Sequence, residues 1–157
     1  MPDTPRTPVP PAHAWTVHCD GSAVPNPGRM AYGAVIVAPD GRRRTLSIPG
    51  TRVGCNNEAE LRALMAALQE VRALGGREVL LHSDNSIVVA QLDGVRPQPP
   101  IVRLADLVDQ ARDLMAWFDS VRLQWVPRHR NTEADALARA AQGLPPKAPV
   151  RVRRKNG

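Results

Sequence analysis

Cysteine is scarce in this chain of 157 residues: Cys19 and Cys55 are the only two, far apart and in no CxxC pair. That spacing argues against a disulfide scaffold and against a zinc site, and fits a reducing compartment. No run approaches the roughly 18 apolar residues that a membrane span needs, which excludes a transmembrane helix. The first 14 residues hold one Arg, one Asp and five prolines but no apolar stretch, so no secretory signal is expected and the cytoplasm is the predicted location. There is no internal repeat and no dinucleotide-type GxGxxG. What remains is a globular balance, 43% hydrophobic and 23% charged, in a length that suits one domain.

The net charge of +6 is unevenly placed. Lys147, Arg151, Arg153, Arg154 and Lys155 carry no acid among them and leave a net +1 for residues 1–146. Such a tail suits phosphate contacts that do not read sequence, or simple solvation. Five of the 16 prolines fall in residues 1–11 and three in 145–149, so both ends are predicted to be disordered. The expected organisation is a Pro-rich extension over 1–13, a folded domain over 14–143 and a basic tail over 144–157.

Within the domain, strands are predicted over 15–20, 31–37 and 43–48, with a turn-rich loop over 24–28 and a hairpin signal at Asp40-Gly41. Apolar steps of three and four at Leu61, Leu64, Met65, Leu68 and Val71 predict a helix over 58–74, stopped by Gly75-Gly76. A buried strand over 79–83, helices over 85–92 and 101–118, a strand over 121–126 and a capped helix over 131–141 complete the order β-β-β-α-β-α-α-β-α. That order predicts an α/β fold on one mixed sheet. Trp15, Trp117, Trp125, Tyr32 and Phe118 are read as core residues rather than base-stacking ones.

Four acids fall at the ends of these elements. Asp20 closes the first strand, Glu60 opens the long helix, Asp84 closes the fourth strand and Asp135 opens the last helix. Strands one and four can be neighbours, which would bring Asp20 and Asp84 together where α/β clefts form. Uncompensated carboxylates there would repel one another, and hard divalent cations with oxygen ligands are the natural remedy. Two such ions about 4 Å apart can drive an in-line phosphoryl displacement. Each acid also has a local explanation. Glu60 could close a capping box with Asn57, Asp135 could complement the helix dipole, Asp84 could cap the next helix, and Asp20-Gly21 could be a turn.

The neighbours of these acids carry a resemblance. Asp20-Gly21-Ser22 with Asn26-Pro27-Gly28, then Asn56-Asn57-Glu58-Ala59-Glu60-Leu61, then Ser83-Asp84-Asn85, then Asn131-Thr132-Glu133-Ala134-Asp135 resemble ribonuclease H of type 1 over about residues 15–141. The resemblance implies a five-stranded mixed sheet, three antiparallel strands then two parallel, flanked by helices. It implies endonucleolytic cutting of the RNA strand of RNA/DNA hybrids with two Mg²⁺ or Mn²⁺ ions, leaving 5′-phosphate and 3′-hydroxyl ends. By it, Asp20, Glu60, Asp84 and Asp135 bind metal, and Gly21, Ser22, Asn26, Asn56, Asn57 and Asn131 belong to the substrate site, with Asn26, Asn56 and Asn57 in the hybrid's minor groove.

The chain also departs from the family pattern. Many members carry a catalytic His about ten residues before the last acid; here His129 lies six residues before Asp135 in a shortened loop, as in compact members without that His. His129 is either a proton-transfer residue or an exposed neighbour of two arginines. His13, His18 and His82 have no metal-ligand spacing. Some relatives insert a basic protrusion, whereas residues 92–119 here hold Arg96, Arg103 and Arg112 against five aspartates. Cys55 stands where relatives often carry a phosphate-contacting Thr, and a thiol is the poorer donor. An inactive hybrid-binding module and a DNA-directed nuclease of the same fold are the competing readings. A monomer is expected, since no heptad pattern or exposed apolar face is evident.

Overall fold

The computed structural model describes residues 12–96 and 98–147. Most of the two terminal extensions, and with them Arg151, Arg153, Arg154 and Lys155, lies outside the described residues. Five strands, β1 (Ala14–Val24), β2 (Gly28–Val37), β3 (Arg43–Gly54), β4 (Glu78–Ser83) and β5 (Ser120–Trp125), form one sheet of order β3-β2-β1-β4-β5. The β1-β2 and β2-β3 pairs are antiparallel; β1-β4 and β4-β5 are parallel. Helices α1 (Asn56–Ala73), α2 (Ser86–Leu92), α3 (Ala105–Trp117) and α4 (Thr132–Ala141) flank it.

Side chains alternate across a strand, and that separates the two faces of the sheet. Val17 and Cys19 of β1, with Ala34 and Ile36 of β2, join Leu61, Leu64 and Leu68 of α1 and Val108 and Ala111 of α3 in one fully or nearly fully buried cluster. In β3, Leu46 packs against this cluster while its neighbour Ser47 donates to Leu137 O of α4 at 2.7 Å, so α4 covers the opposite face.

Several boundaries differ from the sequence expectations. β1 runs on to Val24, paired with Arg29, so the expected loop over 24–28 shrinks to a three-residue turn. β3 continues past Pro49 to Gly54; as the edge strand it can hold a proline whose missing N–H is not needed by a further neighbour. The helix expected over 101–118 divides into a 3₁₀ turn at Val102–Leu104 and α3. Trp125 is not a core residue: it is 54% exposed at the end of edge strand β5. Trp15 and Trp117 do pack against the core, Trp117 with the guanidiniums of Arg72 and Arg77 at 4.3 and 4.4 Å from its ring. Phe118 is buried and Tyr32 half-buried.

Candidate active site

The parallel pairing of β1 with β4 matches His18 to His82 and ends at Cys19 with Ser83, which sets Asp20 level with Asp84 just past the end of β4. Asp20 does not close its strand as the sequence suggested: β1 runs four residues further, to Val24, because β2 still pairs with it there. Glu60 reaches them from the second turn of α1. It can do so because residue 21 is glycine: a Cβ there would fall on the backbone carbonyl of Ala59. Asp20, Glu60 and Asp84 each present a carboxylate oxygen, and these oxygens lie within 4.8 Å of one another.

Burial dominates the electrostatics. Asp20 and Glu60 are only 6% and 5% exposed. Burial pushes the Asp20 carboxyl up to about 7; a hydrogen bond shared with Glu60 opposes the rise, while Asp84 and Asp135 add to it. Glu60 is driven well above the usual carboxylate range by burial and then by Asp20 and Asp84. Directly beneath, burial and the same three acids raise the Cys19 thiol.

A cation fits this donor set. The three groups are hard oxygen ligands held close together, and Glu60 Oε2 is buried without a hydrogen-bond partner among the described residues. The metal-free protein therefore carries a charge cost that follows pH. A carboxyl raised on folding is favoured while protonated, so its contribution is most favourable below about pH 4 and falls as pH rises toward about 7. The gain in Tm on adding Mg²⁺ is accordingly expected to be larger at pH 8 than at pH 5. Thermal unfolding with and without the ion checks this, and equal gains at the two pH values would contradict it.

Asp135 stands apart from the tight group of three. It opens α4 and is close enough to raise the Asp20 carboxyl, and Lys147 Nζ approaches its Oδ1 at 3.7 Å. Asn131 stands at the start of α4, but its side chain does not make the expected cap bond. The residue is 2% exposed and donates from Nδ2 to Cys19 O (2.9 Å) and Asp84 Oδ2 (3.1 Å). Its buried position between β1 and Asp84 makes it a brace for that carboxylate.

The remaining polar motif residues tie the rim together. Asn56 Oδ1 accepts from Ala23 N (2.8 Å), and Asn26 Oδ1 accepts from Asn56 N (3.1 Å). Asn85 caps α2 by accepting from Ile87 N and Val88 N, and donates to Asn57 Oδ1 at 2.9 Å. In each of Asn26, Asn56 and Asn57 the oxygen is used inward, leaving the amide NH₂ as a donor on the cleft they line. Ser22 Oγ donates to Gln142 Oε1 at 2.9 Å, and Gln142 also donates to Ser22 O and Arg29 O. The cleft holds about 1500 Å³ and takes in all four acids, Cys55 and the exposed His129. Sequence reasoning missed Gln142 as a clasp and Arg103, Arg128 and Arg139 as cleft-wall cations. Nothing local distinguishes an isolated Arg or a post-helical Gln from a solvated one.

A sheet of order β3-β2-β1-β4-β5 with carboxylates gathered where the parallel pairing of β1 with β4 ends defines a ribonuclease H-like domain. The model of the reverse transcriptase-like family matches residues 18–141, and the chain belongs to that family. Ribonuclease HI of Halobacterium salinarum is 36% identical over 138 residues, covering 85% of this chain and 67% of that protein. The crystal structure of ribonuclease H1 from that archaeon superposes with a TM-score of 0.73 at 33% identity, over 83% of this chain and 98% of the other. A bifunctional protein of Mycobacterium tuberculosis is 37% identical over 127 residues, 80% of this chain, which spans about a third (34%) of that relative's length. A ribonuclease H1 isolated from compost, solved in complex with an RNA/DNA hybrid, gives a TM-score of 0.65 at 25% identity over 80% of this chain and 94% of the other. The form is compact, with only the 3₁₀ turn Val102–Leu104 between α2 and α3 among the described residues.

Proposed function

We propose that this protein hydrolyses the RNA strand of RNA/DNA hybrids endonucleolytically, using two Mg²⁺ or Mn²⁺ ions and leaving 5′-phosphate and 3′-hydroxyl ends. The observation that carries the reading is the convergence of Asp20, Glu60 and Asp84, two of them buried, around an unpartnered carboxylate oxygen. The relative solved with an RNA/DNA hybrid supports the choice of substrate. Held by these carboxylates, divalent ions would supply activation of a water and neutralisation of the leaving oxygen for an in-line displacement.

The chain's own residues do the holding and orienting. Asp20, Glu60 and Asp84 ligate, with Asp135 completing the set from α4. Asn131 fixes the rotamer of Asp84 through a bond at 3.1 Å. Gly21 gives room for α1, and Ser22, fastened by Gln142, sets the adjoining edge of the cleft. Asn26, Asn56 and Asn57 offer amide donors to minor-groove acceptors, where 2′-hydroxyls mark the RNA strand. Cys55, at the cleft wall before α1, offers a weaker donor than a hydroxyl to any phosphate there. His129, exposed beside the arginines of the turn Arg128–Arg130, is the proton carrier or product-release residue. The protein acts as a monomer in the cytoplasm, and among the described residues no helix is long and apolar enough to cross a membrane.

End-labelled RNA/DNA hybrid, RNA duplex and DNA duplex, each incubated with Mg²⁺ and then Mn²⁺, test the reading. Internal cuts confined to the hybrid's RNA strand are expected. Retained hybrid binding with no cutting under either ion would replace the nuclease by a binding module, and cutting of the DNA duplex would replace the substrate.

A further inference from the structure

The chain reverses direction where α4 ends. Gly143 takes φ +72°, the left-handed region that favours glycine, and its N–H donates to Ala140 O at 3.0 Å. Leu144 N–H donates to Arg139 O at 2.9 Å, and Arg139 Nε then donates to Pro145 O at 2.8 Å. Two consecutive prolines, Pro145 and Pro146, keep this short stretch extended. Residues 144–147 therefore run back beside α4 toward its start, and Pro146 and Lys147 become part of the cleft wall. The strap ends with Lys147 Nζ 3.7 Å from Asp135 Oδ1, although the two residues are 12 positions apart in sequence.

Asp135 is the acid that does not join the group of three, although it lines the same cleft. The carboxylate side chain is 24% exposed and the lysine side chain 60%, so the pair lies at the cleft surface, within reach of water and ions. An ammonium there supplies the positive charge that a divalent cation would otherwise bring, and the two compete for the same carboxylate. Because Arg139 pins Pro145, a displaced Lys147 stays tethered at the cleft. In a nuclease cleft the anion within its reach is a backbone phosphate.

We propose that Lys147 is a built-in counter-cation for Asp135: it holds that carboxylate until a divalent cation takes it, and the freed ammonium then grips a phosphate of the bound hybrid. The second half rests on the hybrid-nuclease reading; the first half needs no substrate.

The test begins with calorimetric titration of Mg²⁺ into the full chain without nucleic acid, at low ionic strength. Wild type, Lys147→Ala and Lys147→Arg are compared, with thermal unfolding to verify that all three fold. Lys147→Ala is expected to bind Mg²⁺ about two- to five-fold more tightly, the span of a partly exposed ion pair, with Lys147→Arg close to wild type. In hybrid cleavage at saturating Mg²⁺, Lys147→Ala should raise KM several-fold, beyond any change in kcat. Equal Mg²⁺ affinity in wild type and Lys147→Ala overturns the counter-cation. Tighter Mg²⁺ binding with unchanged KM overturns the phosphate grip. Wild type that cuts no hybrid defeats the functional reading and leaves the calorimetric comparison standing by itself.

Discussion

Asp20→Asn is expected to abolish hybrid cleavage, by roughly 10³-fold or more, and at the same time to raise the Tm of the metal-free protein by a few degrees at pH 8. The two effects share one cause. Asp20 is 6% exposed and its carboxyl is pushed up to about 7, first by burial and then by Asp84 and Asp135. Its negative charge is thus a cost to the fold that only a cation offsets, and an amide of the same shape removes both the cost and the ligand. The stabilisation should shrink as pH falls from 7 and vanish below about pH 4, where Asp20 becomes protonated in the unfolded state as well as the folded one, and the gain on adding Mg²⁺ should shrink in the variant. Calorimetric Tm values over pH 4 to 8, with single-turnover cleavage alongside, measure both. A variant that loses activity and is also less stable at pH 8 would show that Asp20 contributes packing or hydrogen bonding the fold needs, and the charge argument would fail.

Gly21→Ala should be nearly as damaging, for a steric reason. A Cβ on residue 21 would land on the carbonyl carbon and oxygen of Ala59 and lie 2.6 Å from the backbone nitrogen of Glu60. None of these is the flexible end of a side chain, so α1 must shift away from β1. Over-packing of this kind costs about 2–4 kcal/mol, and here it also moves the one carboxylate that comes from α1. A lower urea midpoint with an unchanged m-value is expected, together with weakened Mg²⁺ binding. A wild-type midpoint and wild-type Mg²⁺ affinity would show that α1 does not press on β1 at this point.

Much of the fold was legible because its signals are local. The three- and four-residue steps of Leu61, Leu64, Leu68 and Val71 mark the buried face of α1, and all four are fully buried. Asp40-Gly41 marks the β2-β3 hairpin, where Gly41 has φ +88°. Errors came where a residue's fate depends on distant chain. β1 and β3 outrun their sequence signals because β2 pairs with them along its whole length. Trp125 reads as core from its apolar strand, but β5 is an edge, and its indole N–H reaches out to Asp84 O at 3.1 Å.

The site divides along the same line. Sequence by itself determined the order of elements, the four acids and the glycine and asparagine types around them, because periodicity, turn chemistry and motif spacing are properties of neighbours in the chain. Only the tertiary structure decided that Asp20, Glu60 and Asp84 share one point, that the Asn131 side chain braces Asp84 rather than capping α4, and that Lys147 returns to Asp135. Those facts rest on the parallel β1-β4 pairing, on the close approach of α1 at Gly21 and on the reversal at Gly143. Each is a contact whose free energy depends on burial and on geometry between segments far apart in sequence, which no local pattern encodes.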